Sequence, residues 1–146
     1  MDNKKISEVF EEIANIFEIS DENFFKVNAY KKASLTVMNL AQDLRQMVEE
    51  TPQDIDKIPG IGKALKDKII ELIETGKCRE HERIKEGFPK GLLEMLKLRG
   101  LGPKKIKLFY LNLGITTIDQ LKKAAEEHKL SALPGMGEKS EADILK

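Results

Sequence analysis

Ile58-Pro59-Gly60-Ile61-Gly62-Lys63 is echoed twice further along the chain, as Leu98-Arg99-Gly100-Leu101-Gly102-Pro103-Lys104 and as Leu133-Pro134-Gly135-Met136-Gly137-Glu138-Lys139. In each copy an aliphatic residue stands two places before the first glycine, an apolar residue separates the glycines, and a helix-forming run follows. This is an internal repeat, and it decides how the rest of the chain is read. So short a connection between two packed helices needs backbone conformations closed to bulky side chains, and paired glycines supply them.

The same lack of side chains lets the amides that open the next helix approach an anion, where the helix dipole favours negative charge. Gly60, Gly62, Gly100, Gly102, Gly135 and Gly137 are therefore expected to face phosphates. Ile61, Leu101 and Met136 are expected to turn inward and anchor each hairpin. Lys63, Lys104, Lys105 and Lys139 would add contacts that release counterions, making binding salt-sensitive and largely independent of sequence. The plain alternative is that Gly-x-Gly only ends or starts helices. A dinucleotide-binding loop is disfavoured, because no strand precedes any copy and no third glycine follows at the required spacing; a Walker A loop is absent too.

Outward from the repeats, no segment alternates with period two, whereas many show the i, i+3, i+4 apolar spacing of amphipathic helices. The expectation is an all-α chain. A first helix over about residues 4–18 would carry Ile6, Val9, Phe10, Ile13, Ile16 and Phe17 on one face. Ser20-Asp21-Glu22-Asn23 reads as a turn and cap, and a second helix within about residues 24–50 would present Tyr30, Ala33, Val37, Leu40, Ala41, Leu44 and Val48. Thr51-Pro52-Gln53-Asp54 marks the next boundary, with Thr51 as a cap and a very short helix after it.

The 146 residues, 40% hydrophobic and 34% charged, suit one or two small folded units. Nothing at the amino terminus resembles a secretory signal, and no apolar run reaches membrane-spanning length. The single Cys78, with His81 and His128, offers neither a disulfide nor a zinc set, so a reducing, cytoplasmic setting is expected. The net charge is zero, but its distribution is uneven. Residues 1–22 hold seven carboxylates against two lysines. Basic residues gather later as Lys26, Lys31 and Lys32, as Lys63, Lys66 and Lys68, and as Arg99, Lys104, Lys105 and Lys107.

Together with Asn28-Ala29-Tyr30-Lys31-Lys32-Ala33 and Glu74-Thr75-Gly76-Lys77, the three glycine segments resemble the helix-hairpin-helix motifs in the amino-terminal half of family X DNA polymerases, over nearly the whole chain. The retained third hairpin is more similar to bacterial and archaeal members than to the animal beta type. The resemblance implies two small helical subdomains with three helix-hairpin-helix motifs: a lyase-type domain at residues 1–88, and a fingers or DNA-grip subdomain at residues 89–146. It implies gapped, nicked or 5′-phosphorylated DNA as partner, in gap-filling or base excision repair, and a nucleoid-associated protein. Lys68 falls where the family has its Schiff-base lysine, and Phe25, Lys26, Tyr30 and Lys31 fall in its 5′-phosphate and sugar pocket. Carbonyls of Ile58, Ile61, Leu98 and Leu101 correspond to positions that hold Na+ or K+ between hairpin and phosphate.

The aspartates that bind Mg2+ for nucleotide transfer belong to a palm domain not present in this sequence, so the chain itself is not expected to polymerise. A bacterial-type enzyme would add that palm and a phosphoesterase domain, and the stop at Lys146 reads as a domain excerpt.

Lyase chemistry asks for a neutral amine, and Lys68 stands at the border of the apolar face running through Leu65, Ile69 and Leu72. A lysine there can equally cover the core edge with its stem and keep its head in water. Ala64 and Glu80 stand where the animal pattern has basic residues, and Phe25 where it has a stacking histidine. Two other readings stay open: a hairpin module from another repair or recombination protein, and a helical protein-interaction domain.

Overall fold

The structure, a computed structural model, describes residues 1–98 and 101–133, and every regular element among them is a helix. The all-α expectation holds. The chain divides into two compact units, Met1–Glu86 and Gly87–Lys146, each with its own core. None of the described helices is long and apolar enough to cross a membrane.

In the first unit, α1 (Asn3–Ile19) starts at Asp2, whose carboxylate accepts the Lys5 amide at 2.9 Å, and buries Ile6, Phe10, Ile13 and Phe17 along one face. Asn23 caps α2 (Phe24–Met38) by accepting the Phe25 amide at 2.7 Å. The small residues Ser7, Ala33 and Ser34 let α1 and α2 approach closely. The Ser7 hydroxyl donates to the Ser34 carbonyl and the Ser34 hydroxyl to the Ser7 carbonyl, each at 2.8 Å, so both buried hydroxyls are satisfied.

The second helix expected within residues 24–50 is broken at residues 39–43, and α3 (Leu44–Glu50) begins anew with Asp43 accepting the Arg45 amide. The cause lies far away in sequence. The Asn3 side chain donates to the Gln42 carbonyl at 2.7 Å and accepts the Leu44 amide at 3.0 Å, fixing the corner. Ala41, expected on the apolar stripe, is exposed there.

A short 3-10 helix, Pro52–Lys57, follows, and Thr51 makes no side-chain capping bond to it, contrary to expectation. The first hairpin then leads into α4 (Lys63–Thr75), closed by left-handed Gly76 at φ 79°. In α5 (Arg79–Glu86) the buried His81 Nε2 lies 2.7 Å from Glu12 Oε2, tying α5 to α1.

The second unit contains α6 (Lys90–Leu96), α7 (Pro103–Leu113) and α8 (Ile118–Glu126) around Leu92, Met95, Ile106, Phe109, Leu121 and Leu130. Gly91 is glycine because α6 meets the turn before α8 backbone to backbone, and a Cβ there would collide with the Thr116 carbonyl. Thr117 caps α8 by accepting the Gln120 amide at 3.1 Å, while Gln120 accepts the Thr116 amide at 2.8 Å.

Candidate nucleic-acid interface

The described residues of the first two glycine repeats make the same pair of backbone bonds. In the first, the Ile58 amide donates to the Ile55 carbonyl at 3.2 Å and the Ile61 amide to the Ile58 carbonyl at 2.9 Å. The second repeats both bonds, from Leu98 to Met95 at 3.0 Å and from Leu101 to Leu98 at 3.4 Å. Ile61 and Leu101 are buried, 3% and 8% exposed, and anchor their hairpins as expected. The third copy enters the described residues only at Leu133, whose amide donates to Leu130 at 3.1 Å; Gly135, Gly137 and Lys139 lie outside them, as does Gly100.

The repeat is therefore longer than the glycine pattern indicates. Ile55, Met95 and Leu130, each three residues before the aliphatic that opens a copy, are fully buried and accept the first turn bond of their hairpins. This position was legible as a recurring apolar residue, but it lies outside the glycine spacing.

The glycines differ in why they are needed. Gly60, at φ 91°, occupies backbone space that side chains rarely enter. Gly62 and Gly102 do not: they are extended, at φ −89° and −108°, and among the described residues a Cβ on either would meet nothing within 4 Å. The expectation that both glycines of a pair supply unusual conformations is corrected for the second one. Neither backbone strain nor packing against the described residues calls for glycine there.

Gly62 and Gly102 occupy the N-cap positions of α4 and α7, and neither helix has a side-chain cap. The first amides of a helix have no intrahelical acceptor. At α4 these belong to Lys63, Ala64 and Leu65; at α7, Pro103 removes one donor and leaves those of Lys104 and Lys105. Gly60 and Gly62 are exposed, so the first corner opens to solvent.

The basic groups seen in the sequence separate once their partners are known. Lys26 pairs with Glu22 at 3.8 Å and sits 5.8 Å from the Phe17 ring centre, Lys31 with Glu18 at 3.0 Å, and Lys66 with Asp56 at 3.7 Å. Among the described residues no ion pair involves Lys32, Lys63, Lys68 or Lys104.

Tyr30, of the expected sugar and phosphate pocket, lies near Lys68, the expected Schiff-base lysine. Tyr30 is held edge-on between Phe10 and Phe17, with ring centres 5.9 and 5.7 Å away. Burial pushes its phenol above the ordinary tyrosine range, against the pull of the Lys68 ammonium beside it, with Glu80 close enough to add to the rise. Phe25 is 80% exposed at the start of α2, edge-on to Phe24 at 6.2 Å. Lys31 is turned to Glu18. Lys68 also borders an open cleft whose walls include Asp67, Glu71, Glu80, Lys77 and Arg83.

Residues 1–78 match the Helix-hairpin-helix domain family, and residues 92–146 match the SAM-like Helix-hairpin-helix tandem. The chain belongs to the helix-hairpin-helix domain family. It is 40% identical over 145 residues to the DNA polymerase/3'-5' exonuclease PolX of Bacillus subtilis (strain 168), covering 99% of this chain and 25% of that protein. Against DNA polymerase lambda of Rattus norvegicus it is 25% identical over 144 residues, 98% of this chain and 23% of the relative. With the Arabidopsis thaliana DNA polymerase lambda the identity is 27% over 121 residues, 82% of this chain and 22% of that one. The chain corresponds to the amino-terminal region of family X DNA polymerases and spans about a quarter of the length of these relatives.

Proposed function

We propose that this chain binds DNA through its backbone, as the DNA-gripping amino-terminal part of a family X polymerase. The observation that carries this reading is the pair Gly62 and Gly102. Each leaves an uncapped helix start open at a place where the described residues leave room for a Cβ. A phosphate fits that space, drawn by the amides and the helix dipole. Lys63 and Lys104 add charge beside it.

The third copy, with Gly135, Gly137 and Lys139, extends the same grip, and Gly100 completes the second. Carbonyls of Ile58, Ile61, Leu98 and Leu101 would hold Na+ or K+. Those of Ile58 and Leu98 each accept one amide bond and keep a second lone pair for an ion. Such an ion supplies positive charge between hairpin and phosphate. The preferred substrate is gapped or nicked DNA in repair, presented to a palm and a phosphoesterase domain elsewhere in the enzyme.

A second reading, 5′-deoxyribose phosphate lyase activity, is favoured by Lys68 standing near Tyr30 at the border of an open cleft. The Lys68 amine would add to the C1′ aldehyde with loss of water, and β-elimination would then break the C3′–O bond and expel the phosphate. Phe25 and Lys26, exposed on the first turn of α2, would meet the incoming sugar end.

The test is a mobility-shift titration of a gapped duplex, with and without a 5′ phosphate, across a salt series. Binding should weaken with salt, by a slope of about 0.9 per phosphate contacted. No binding at low salt would leave a protein-interaction domain as the better reading.

A further inference from the structure

Gly60 lies against α2. A Cβ built on it would meet Lys32 Cε and Thr36 Oγ1, both at 3.4 Å, and Lys32 Cδ at 3.7 Å. The stem of Lys32 therefore runs along the glycine corner of the first hairpin. Thr36 stands one turn further along α2, on the same side.

Lys31, the next residue back, behaves differently. Its ammonium is 3.0 Å from Glu18 Oε2, and the Glu18 side chain is only 16% exposed. That oxygen is buried and has no hydrogen-bond partner of good geometry, so Lys31 is the charge that offsets its desolvation. Turning Lys31 toward a phosphate would strand the Glu18 carboxylate. Lys32, by contrast, is exposed and makes no ion pair among the described residues.

Resting on the reading of the first hairpin as a phosphate grip, we propose that Lys32 is a further DNA-backbone contact, and that Glu18 withdraws Lys31 from that task. With the Lys32 stem against Gly60 and Lys63 exposed as the first residue of α4, a phosphate on the α4 amides would meet an ammonium from each helix. The adjacent lysines of α2 thus have separate duties, one internal and one toward the ligand. Lys32 cannot be told from Lys31 by sequence, since both follow Tyr30 in one basic run.

The experiment measures affinity for a fluorescent gapped duplex against salt, using the full chain and four variants. Lys32→Met keeps the stem over Gly60 and removes the charge. It should lower the salt slope by about 0.9 and weaken low-salt binding several-fold, while Lys32→Arg keeps the parent slope. Lys31→Met should leave the slope unchanged. Gly62→Asp serves as control, because a carboxylate at that N-cap takes the α4 amides that phosphate would use. If Gly62→Asp weakens binding but Lys32→Met retains the parent slope, Lys32 makes no such contact. A loss of slope in Lys31→Met equal to that in Lys32→Met would likewise overturn the division of duties. A parent chain with no salt-dependent binding, or Gly62→Asp binding like the parent, would instead remove the hairpin reading itself.

Discussion

The Ile61 amide donates to the Ile58 carbonyl at 2.9 Å across Gly60, and this bond turns the chain from the 3-10 helix into α4. It places Gly60 at φ 91° and Gly62, two residues on, in ordinary extended backbone. The same substitution should therefore give opposite results at the two positions. Gly60→Ala should destabilise the first unit by at least about 1 kcal/mol, from the left-handed penalty at φ 91°. Gly62→Ala should change stability by under about 0.5 kcal/mol. Urea denaturation of both variants checks this, and equal losses would contradict the assignment of the two glycines.

The Ser7 and Ser34 hydroxyls stand 3.0 Å apart, each also donating to the other residue's carbonyl. Either single alanine variant should cost about 1–3 kcal/mol, because it leaves a buried polar group short of its partner. The double variant should cost less than the sum of the two. Additive losses in a double-mutant cycle would mean that the hydroxyls act separately.

Lys68 on α4 lies near Tyr30 on α2, 38 residues away in numbering. Borohydride added to the chain with 5′-incised abasic DNA should trap a covalent adduct in the parent, and the adduct should vanish in Lys68→Ala. Tyr30→Phe removes the hydroxyl beside the amine while keeping the ring between Phe10 and Phe17, and it should slow trapping without loss of fold. Equal trapping by Lys68→Ala and parent would reject Lys68 as nucleophile.

What the sequence disclosed was local. The hairpins could be read because turn, anchor and helix start lie within six consecutive residues, Ile58 to Lys63, and the pattern recurs. The faces of α1 and α4 follow from apolar spacing alone. The break at residues 39–43 could not be read that way, since the clamp on Gln42 and Leu44 is the side chain of Asn3 at the other end of the unit.

Of the candidate site, the family pattern singles out Tyr30 and Lys68, which the fold brings near each other. Lys31 was named alongside them, yet its role depends on Glu18, a carboxylate that the sequence shows only as one of many near the amino terminus. The place of Lys32 over Gly60 depends on how α2 packs against the hairpin, which no spacing reveals.

The most direct test is to follow backbone amide resonances while gapped DNA is added. The amides of Lys63, Ala64 and Leu65 at the start of α4, and of Lys104 and Lys105 at the start of α7, should shift more than those in the middle of either helix. Saturable DNA binding that left these five amides unmoved would contradict the account.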